Sequence, residues 1–172
     1  MERAYRIRAA VTGDLESVLA LEREIDTLPH WRIADYLGAL PSLHRDYRSG
    51  GICRCFFVAE MGSTVTGFAV GKVMGALAEL ESVGVAERLR RSGVGRALCA
   101  AVIEWSERIG ALQVELEVRS RSAGPMALYE RLGFVAVGRR AQYYREPVDD
   151  AVLMRLDLGS KAAQGLMHSR AL

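Results

Sequence analysis

Lysine is almost missing from this chain. Only Lys72 and Lys161 are lysines, so arginine supplies nearly all of the 23 basic residues. So uniform a bias reads as genomic base composition, and an arginine carries functional weight only where several cluster. Net charge is also scarce: 23 basic residues face 21 acidic ones, for a formal charge of +2. A general nucleic-acid binder needs a strong basic surplus, so that class is excluded. No apolar run reaches the ~18 residues of a membrane helix, and no membrane partner is expected. The basic start, Met1 to Arg8, runs into Ala9, Ala10, Val11 and a polar turn, without the apolar core of a secretion signal. Cysteine is limited to Cys53, Cys55 and Cys99, an odd set without spaced partners. Reduced thiols and a cytoplasmic location are expected. Histidine is equally sparse. His30, His44 and His168 form no cluster with the cysteines, so no metal is expected.

What is present is a length of 172 residues, half of them hydrophobic and 26% charged. That composition suits one soluble domain with a real core. No internal repeat or linker divides it. One domain over residues 1–158 is expected, followed by a polar, weakly patterned tail over 159–172.

Periodicity then places the elements. Tyr5 to Ala9 alternates as a short strand. Thr12-Gly13-Asp14 offers capping side chains for a helix with Leu15, Val18, Leu19 and Ile25 on its apolar stripe. Pro29 ends or kinks that helix. A second helix is expected from Trp31, with Ile33, Tyr36, Leu37 and Leu40 facing inward, interrupted near Pro41, and Gly50-Gly51 breaks the pattern again. Ile52 to Glu60, Thr64 to Val73 and Leu77 to Val85 read as antiparallel strands joined by short turns. The period switches at Val94, where Leu98, Ala101, Val102, Trp105 and Ile109 recur at helical spacing up to Gly110. Leu112 to Val118 alternates, placing Val114, Leu116 and Val118 on one face and Gln113, Glu115 and Glu117 on the other. Pro125 to Leu132 reads as a short helix stopped by Gly133. Phe134 to Gly138 and Ala151 to Leu158 are the last expected strands.

The segment richest in chemistry is Arg90-Arg91-Ser92-Gly93-Val94-Gly95-Arg96, between a strand end and a helix start. Glycines there leave backbone N–H groups open to an anion, and the helix dipole adds partial positive charge. Arg91 and Arg96 add permanent charge and bidentate geometry. The pattern describes a pyrophosphate cradle. Its spacing lacks the Gly-Lys-Ser/Thr of a P-loop and the third glycine of a dinucleotide fingerprint. Glycines at this spacing also serve plain tight turns.

Val83-Gly84-Val85 followed by Arg90-x-x-Gly93-x-Gly95 and a helix resembles motif A of the GNAT (Gcn5-related) N-acetyltransferases. The resemblance continues through Leu116-Glu117-Val118-Arg119, Ala127 to Phe134, Tyr143-Tyr144, and Asp149-Asp150-Ala151 with Met154. It runs from about Ile7 to Leu158, and the later elements are similar to the RimI branch, which acetylates the N-terminal alanine of small-subunit ribosomal protein S-eighteen. The resemblance implies a single-domain α/β (α+β) fold. Its sheet would be mixed and mostly antiparallel, with six to seven strands, about four helices and a V-shaped splay between the fourth and fifth strands. It implies acetyl-CoA as co-substrate, held by Val83, Gly84 and Val85 along its pantetheine arm and by Arg90, Arg91, Ser92, Gly93, Val94, Gly95 and Arg96 at its pyrophosphate. Ser122 stands where this branch carries a cofactor-contacting asparagine, and its reach is shorter. Glu117 matches the general base and Tyr129 the general acid. Leu28 and Trp31, with Tyr143 and Tyr144, match substrate-contacting positions. The implied partner is a protein N-terminus, in a monomer or homodimer.

On residue type alone the bland readings stay open. A half-exposed Glu117 or Glu115 is more often a solvated carboxylate, and Tyr129 at helical spacing is more often core. A small-molecule amine, a lysine side chain, or cofactor sensing without turnover are the competing functions. Arg88, Arg90, Arg91 and Arg96 gather at the cradle. Glu79, Glu81, Glu115 and Glu117 gather on the flanking strands, where negative charge would attract a cationic acceptor.

Overall fold

The computed structural model describes residues 5–40 and 51–159. Seven strands form one sheet: β1 (Arg6–Ala9), β2 (Cys53–Met61), β3 (Thr64–Met74), β4 (Leu77–Val85), β5 (Gln113–Arg119), β6 (Val135–Arg145) and β7 (Val148–Asp157). Their order across the sheet is β1-β2-β3-β4-β5-β7-β6, and only the β4–β5 pair is parallel. Four α-helices accompany it among the described residues: α1 (Leu15–Arg23), α2 (Ile33–Ala39), α3 (Val94–Ile109) and α4 (Ala123–Arg131). This is the mixed, mostly antiparallel architecture that the resemblance implies. The expected breaks at Pro41 and Gly50, together with His44 and all of the tail after Gly159, lie outside the described residues.

Two apolar cores sandwich the sheet. On one face, Val94, Leu98, Cys99 and Val102 of α3 pack against Ala78 and Leu80 of β4, Val114, Leu116 and Val118 of β5, and Met154 and Leu156 of β7. Met126, Leu128 and Tyr129 of α4 join them. On the other face, Leu15, Val18 and Leu21 of α1 and Tyr36 and Ala39 of α2 cover Phe56, Val58, Phe68 and Val70. The Tyr36 ring meets Trp31 at 5.3 Å, Phe56 at 5.5 Å and Phe68 at 5.8 Å. Such pairs add about 0.5–1.5 kcal/mol each beyond simple burial, which fastens the short α2 to the sheet. All three cysteines are buried and free, as their apolar settings suggested.

Four local expectations change. A 3-10 turn, Thr12–Asp14, precedes α1, and Asp14 accepts the N–H of Val11 at 2.9 Å instead of capping the helix ahead of it. Asp14 also takes a bidentate pair from Arg8, at 2.7 and 2.8 Å. Ile33 and Leu37 are about half exposed, at 53% and 47%, because the seven-residue α2 docks through Tyr36 and Ala39. Helix α4 begins at Ala123, two residues before Pro125. Strand β6 is much longer than its sequence pattern, running to Arg145, and β7 starts three residues earlier, at Val148. Nearly all of β6 is exposed at the sheet edge, and its register slips between Ala136 and Gly138 and again between Arg140 and Tyr144. Edge position and bulges together erase the alternation that would mark a strand.

Two irregularities shape the centre of the sheet. Strands β4 and β5 pair only over Leu77–Gln113, Ala78–Val114 and Glu79–Glu115. Beyond that point they part, so Leu80 to Val85 and Leu116 to Arg119 face an open V. Strand β4 also bulges: Val70 opposes Ser82 while Gly71 opposes Leu80, which leaves Glu81 as the extra residue. A bulge rotates the strand that follows. Ala78 and Leu80 therefore pack under α3, whereas Gly84 faces Phe68 and Leu28 on the opposite side.

Candidate active site

The donor end of the V is built from backbone. After β4, Ala86 N–H bonds to Thr66 O at 2.9 Å, and a 3-10 turn, Glu87–Leu89, carries the chain to α3. Ser92 folds back on Leu89, with its hydroxyl 2.6 Å from that carbonyl. Arg91 and Gly93 take left-handed φ values of 65° and 90°. That geometry aims the start of α3 at the mouth of the V, and the first four N–H groups of a helix have no intrahelical partner. Gly95 lies against Val85 and Leu128, where an added Cβ would stand 3.5 Å from each. Arg88, Arg90, Arg91 and Arg96 are all exposed around this cradle. Arg90 is held only loosely by Glu87, at 3.7 Å. Open N–H groups, a helix dipole and unburied guanidinium groups fit a pyrophosphate. Ser122 is the N-cap position of α4, and its hydroxyl makes no capping bond.

The acceptor side is built from side chains. Glu117 points away from the α3 core, and Arg140 of β6 reaches it across β7 with Nη1 3.0 Å from Oε1. The Tyr143 hydroxyl faces the same carboxylate, and hydrogen bonding to it, then its negative charge, raises the Tyr143 pKa above the usual phenol value. Burial first, then the Glu117 charge, raises Tyr144. Arg119 stacks on the Tyr144 ring at 4.1 Å and donates to the carbonyls of Pro147 and Glu146 at 3.0 and 3.2 Å. The β6–β7 hairpin is thereby clamped over Glu117. Tyr129 stands on the opposite side of the sheet, its ring 5.9 Å from Phe134. Desolvation pushes its hydroxyl far above the usual value. The V thus opens between a carboxylate on one face and a protonated phenol on the other. Leu28 closes the top, its Cδ1 3.1 Å from where a Cβ on Gly84 would stand. Trp31 packs beside it in the same core.

One expectation is corrected. The four glutamates do not form an open negative field. Glu79 pairs with Lys72 at 2.7 Å, and Glu81 with Arg54 at 2.9 Å and Lys72 at 3.3 Å. Glu115 is held by Arg155 at 2.6 Å, and Glu117 by Arg140. Asp149 and Asp150 are also spoken for. Asp149 accepts from Ser120 at 2.7 Å, and Asp150 from Gln142 N–H and Arg139 at 2.8 and 2.6 Å. Both carboxylates shape the hairpin through these bonds. Arg140 and Glu22 were missed by sequence reasoning. No local pattern links Arg140 to Glu117, because the contact spans three strands. Among the described residues no cluster could hold a metal ion, and no helix is long and apolar enough to cross a membrane.

The model of the acetyltransferase (GNAT) family matches residues 20–134. This chain belongs to the GNAT acetyltransferases. It is 34% identical over 104 residues to the [ribosomal protein bS18]-alanine N-acetyltransferase of Escherichia coli K12, covering 59% of this chain and 70% of that protein. It is also 34% identical over 105 residues to the N-alpha-acetyltransferase RimI of Mycobacterium tuberculosis, covering 59% and 65%. The crystal structure of the ribosomal-protein-S18-alanine N-acetyltransferase from Escherichia coli superposes with a TM-score of 0.75 at 27% identity, over 90% of this chain and 94% of that one. The chain is therefore an acetyl-CoA-dependent N-acetyltransferase of the RimI-like branch. At the level of that family its chemistry is acetylation of protein N-termini.

Proposed function

We propose that this GNAT enzyme acetylates the N-terminal α-amine of an alanine-led protein, with a ribosomal protein of the bS18 type as its acceptor. The observation that carries the reading is the V between β4 and β5, with Glu117 on one face of the sheet and Tyr129 on the other. Acetyl-CoA would approach from the α3–α4 side, its pyrophosphate on the backbone of Arg91 to Arg96 and its pantetheine arm against the unpaired edge of Val83 to Val85. A backbone N–H near Val85 would receive the negative charge that develops on the thioester oxygen. Leu28, Trp31, Tyr143 and Tyr144 would line the acceptor's path on the other face.

The proton inventory suits these roles. An α-amine titrates near 7.7–8.0, so much of it arrives protonated and must lose a proton before attack. Glu117 is the carboxylate in place to accept that proton, directly or through water. The incoming ammonium takes over the contact that Arg140 makes in its absence. Tyr129, raised by burial, keeps its proton across the working range and offers it to the departing thiolate. No covalent enzyme intermediate is needed. In this reading residues 1–158 are the catalytic domain, and the enzyme works in the cytoplasm, where ribosomal proteins are made.

The test is mass spectrometry of a mixed panel: N-terminal peptides including one beginning Ala-Arg, lysine peptides with blocked N-termini, and polyamines. Acetylation of the alanine peptides is expected. Turnover of a polyamine with no N-terminal peptide modified would overturn the assignment. Glu117→Gln and Tyr129→Phe should each lower kcat far more than acetyl-CoA affinity. Wild-type turnover in both variants would refute the roles of base and acid.

A further inference from the structure

The wall that precedes α2 is held from beneath by a carboxylate that the reaction does not use. Glu22, near the end of α1, is only 2% exposed, and its Oε1 accepts the Trp31 N–H at 2.9 Å. No ion pair joins Glu22 to a cation among the described residues. Burying a carboxylate without a cation is costly, so its backbone contact must return more than incidental packing would. Tyr36 is fully buried beside Glu22 and Ser82, and neither its hydroxyl nor that of Ser82 has a hydrogen-bond partner. Ser82 follows the bulge of β4, two residues before Gly84. The Trp31 ring packs on Tyr36, and Leu28 rests on Gly84. These contacts join the loop to α1 and α2, and Leu28 carries it onto the unpaired end of β4 at Gly84.

We propose that Glu22 is a positioning residue for the acceptor: its carboxylate fixes the Trp31 backbone and so, with the Trp31–Tyr36 ring contact and Leu28 resting on Gly84, holds the Leu28–Trp31 wall over the open end of β4. The inference rests on the acceptor role proposed for that wall. It makes the two halves of the site one unit.

Glutamine keeps an acceptor oxygen at the same reach, methionine keeps the bulk without it, and aspartate keeps the charge but falls short of Trp31. Glu22→Met and Glu22→Asp should raise the peptide KM about tenfold, the size of one lost hydrogen bond to a charged group. The acetyl-CoA KM should stay near wild type, and Glu22→Gln should recover most of the peptide affinity. In a Trp105→Phe background, acrylamide quenching reports Trp31 alone. Quenching should increase in the Met and Asp variants and not in the Gln variant. If Glu22→Met does not fold, Glu22→Asp supplies the same comparison. A Gln variant as defective as the others, or a wild-type peptide KM with unchanged quenching, overturns the proposal. If wild-type enzyme acetylates no peptide, the acceptor assignment falls, while the quenching series still decides whether Glu22 holds the wall.

Discussion

Gly84→Ala tests how tightly the open end of β4 is packed. A methyl group at Gly84 would stand 2.5 Å from Cε1 and 3.0 Å from Cζ of Phe68, and 3.1 Å from Leu28 Cδ1. Ordinary carbon contacts lie at about 3.5–4.0 Å, so the Phe68 ring must retreat by roughly 1 Å. It has little room to do so. Phe68 is fully buried, with Tyr36 at 5.8 Å and Phe56 at 6.4 Å. Overpacking of this kind costs about 1–3 kcal/mol. In a domain of this size each kcal/mol moves Tm by about 2–4 °C, so a mid-range cost of about 2 kcal/mol lowers Tm by roughly 4–8 °C. Calorimetry measures that directly. The displaced Leu28 should also raise the peptide KM more than the acetyl-CoA KM. A melting temperature and peptide KM both equal to wild type would refute the packing argument.

Gly95→Ala should behave oppositely. Its Cβ meets Val85 and Leu128 at 3.5 Å, an ordinary contact, so the helix gains about 0.5–1 kcal/mol while acetyl-CoA binding weakens at the crowded cradle. Calorimetric titration with acetyl-CoA reads the second effect, and unchanged affinity would move the pyrophosphate elsewhere. Arg140→Ala removes a half-exposed pair, so stability should change by less than about 1 kcal/mol and the acceptor KM should fall by up to about fivefold. A lowered kcat at constant KM would mean that Arg140 positions Glu117. Burial pushes the Cys55 and Cys99 thiols up to about 12. Alkylation at pH 8 should therefore leave both unmodified in the native protein, and rapid labelling would contradict their burial. The same shift has a defined sign. Folding favours the protonated thiols, so stability is intact below the unfolded thiol pKa of roughly 8.5 and falls as pH rises toward 12.

Wherever spacing alone decides structure, the sequence was enough. The stripe from Val94 to Ile109 and the alternation from Val114 to Val118 each bury a defined face, and both elements stand where that pattern puts them. Gly93 and Gly110 bracket α3 in left-handed conformations that favour glycine. The glycine-rich segment was legible because only a short turn, Glu87–Leu89, separates the end of β4 from the start of α3. The long β6–β7 hairpin was not, because an exposed, bulged edge strand carries no period-two signal. The ion pairs that neutralise Glu79, Glu81, Glu115 and Glu117 were hidden for another reason. Their cations come from other strands, brought alongside only by the order of the sheet. Residue type and short-range pattern therefore determined most of the elements and the family, and they singled out the glycine-rich start of α3. Tertiary structure alone decided which cation sits on Glu117, which hairpin covers it and which buried carboxylate holds the wall. Those contacts join residues far apart in the chain, and register and sheet order, not local propensity, set their distances.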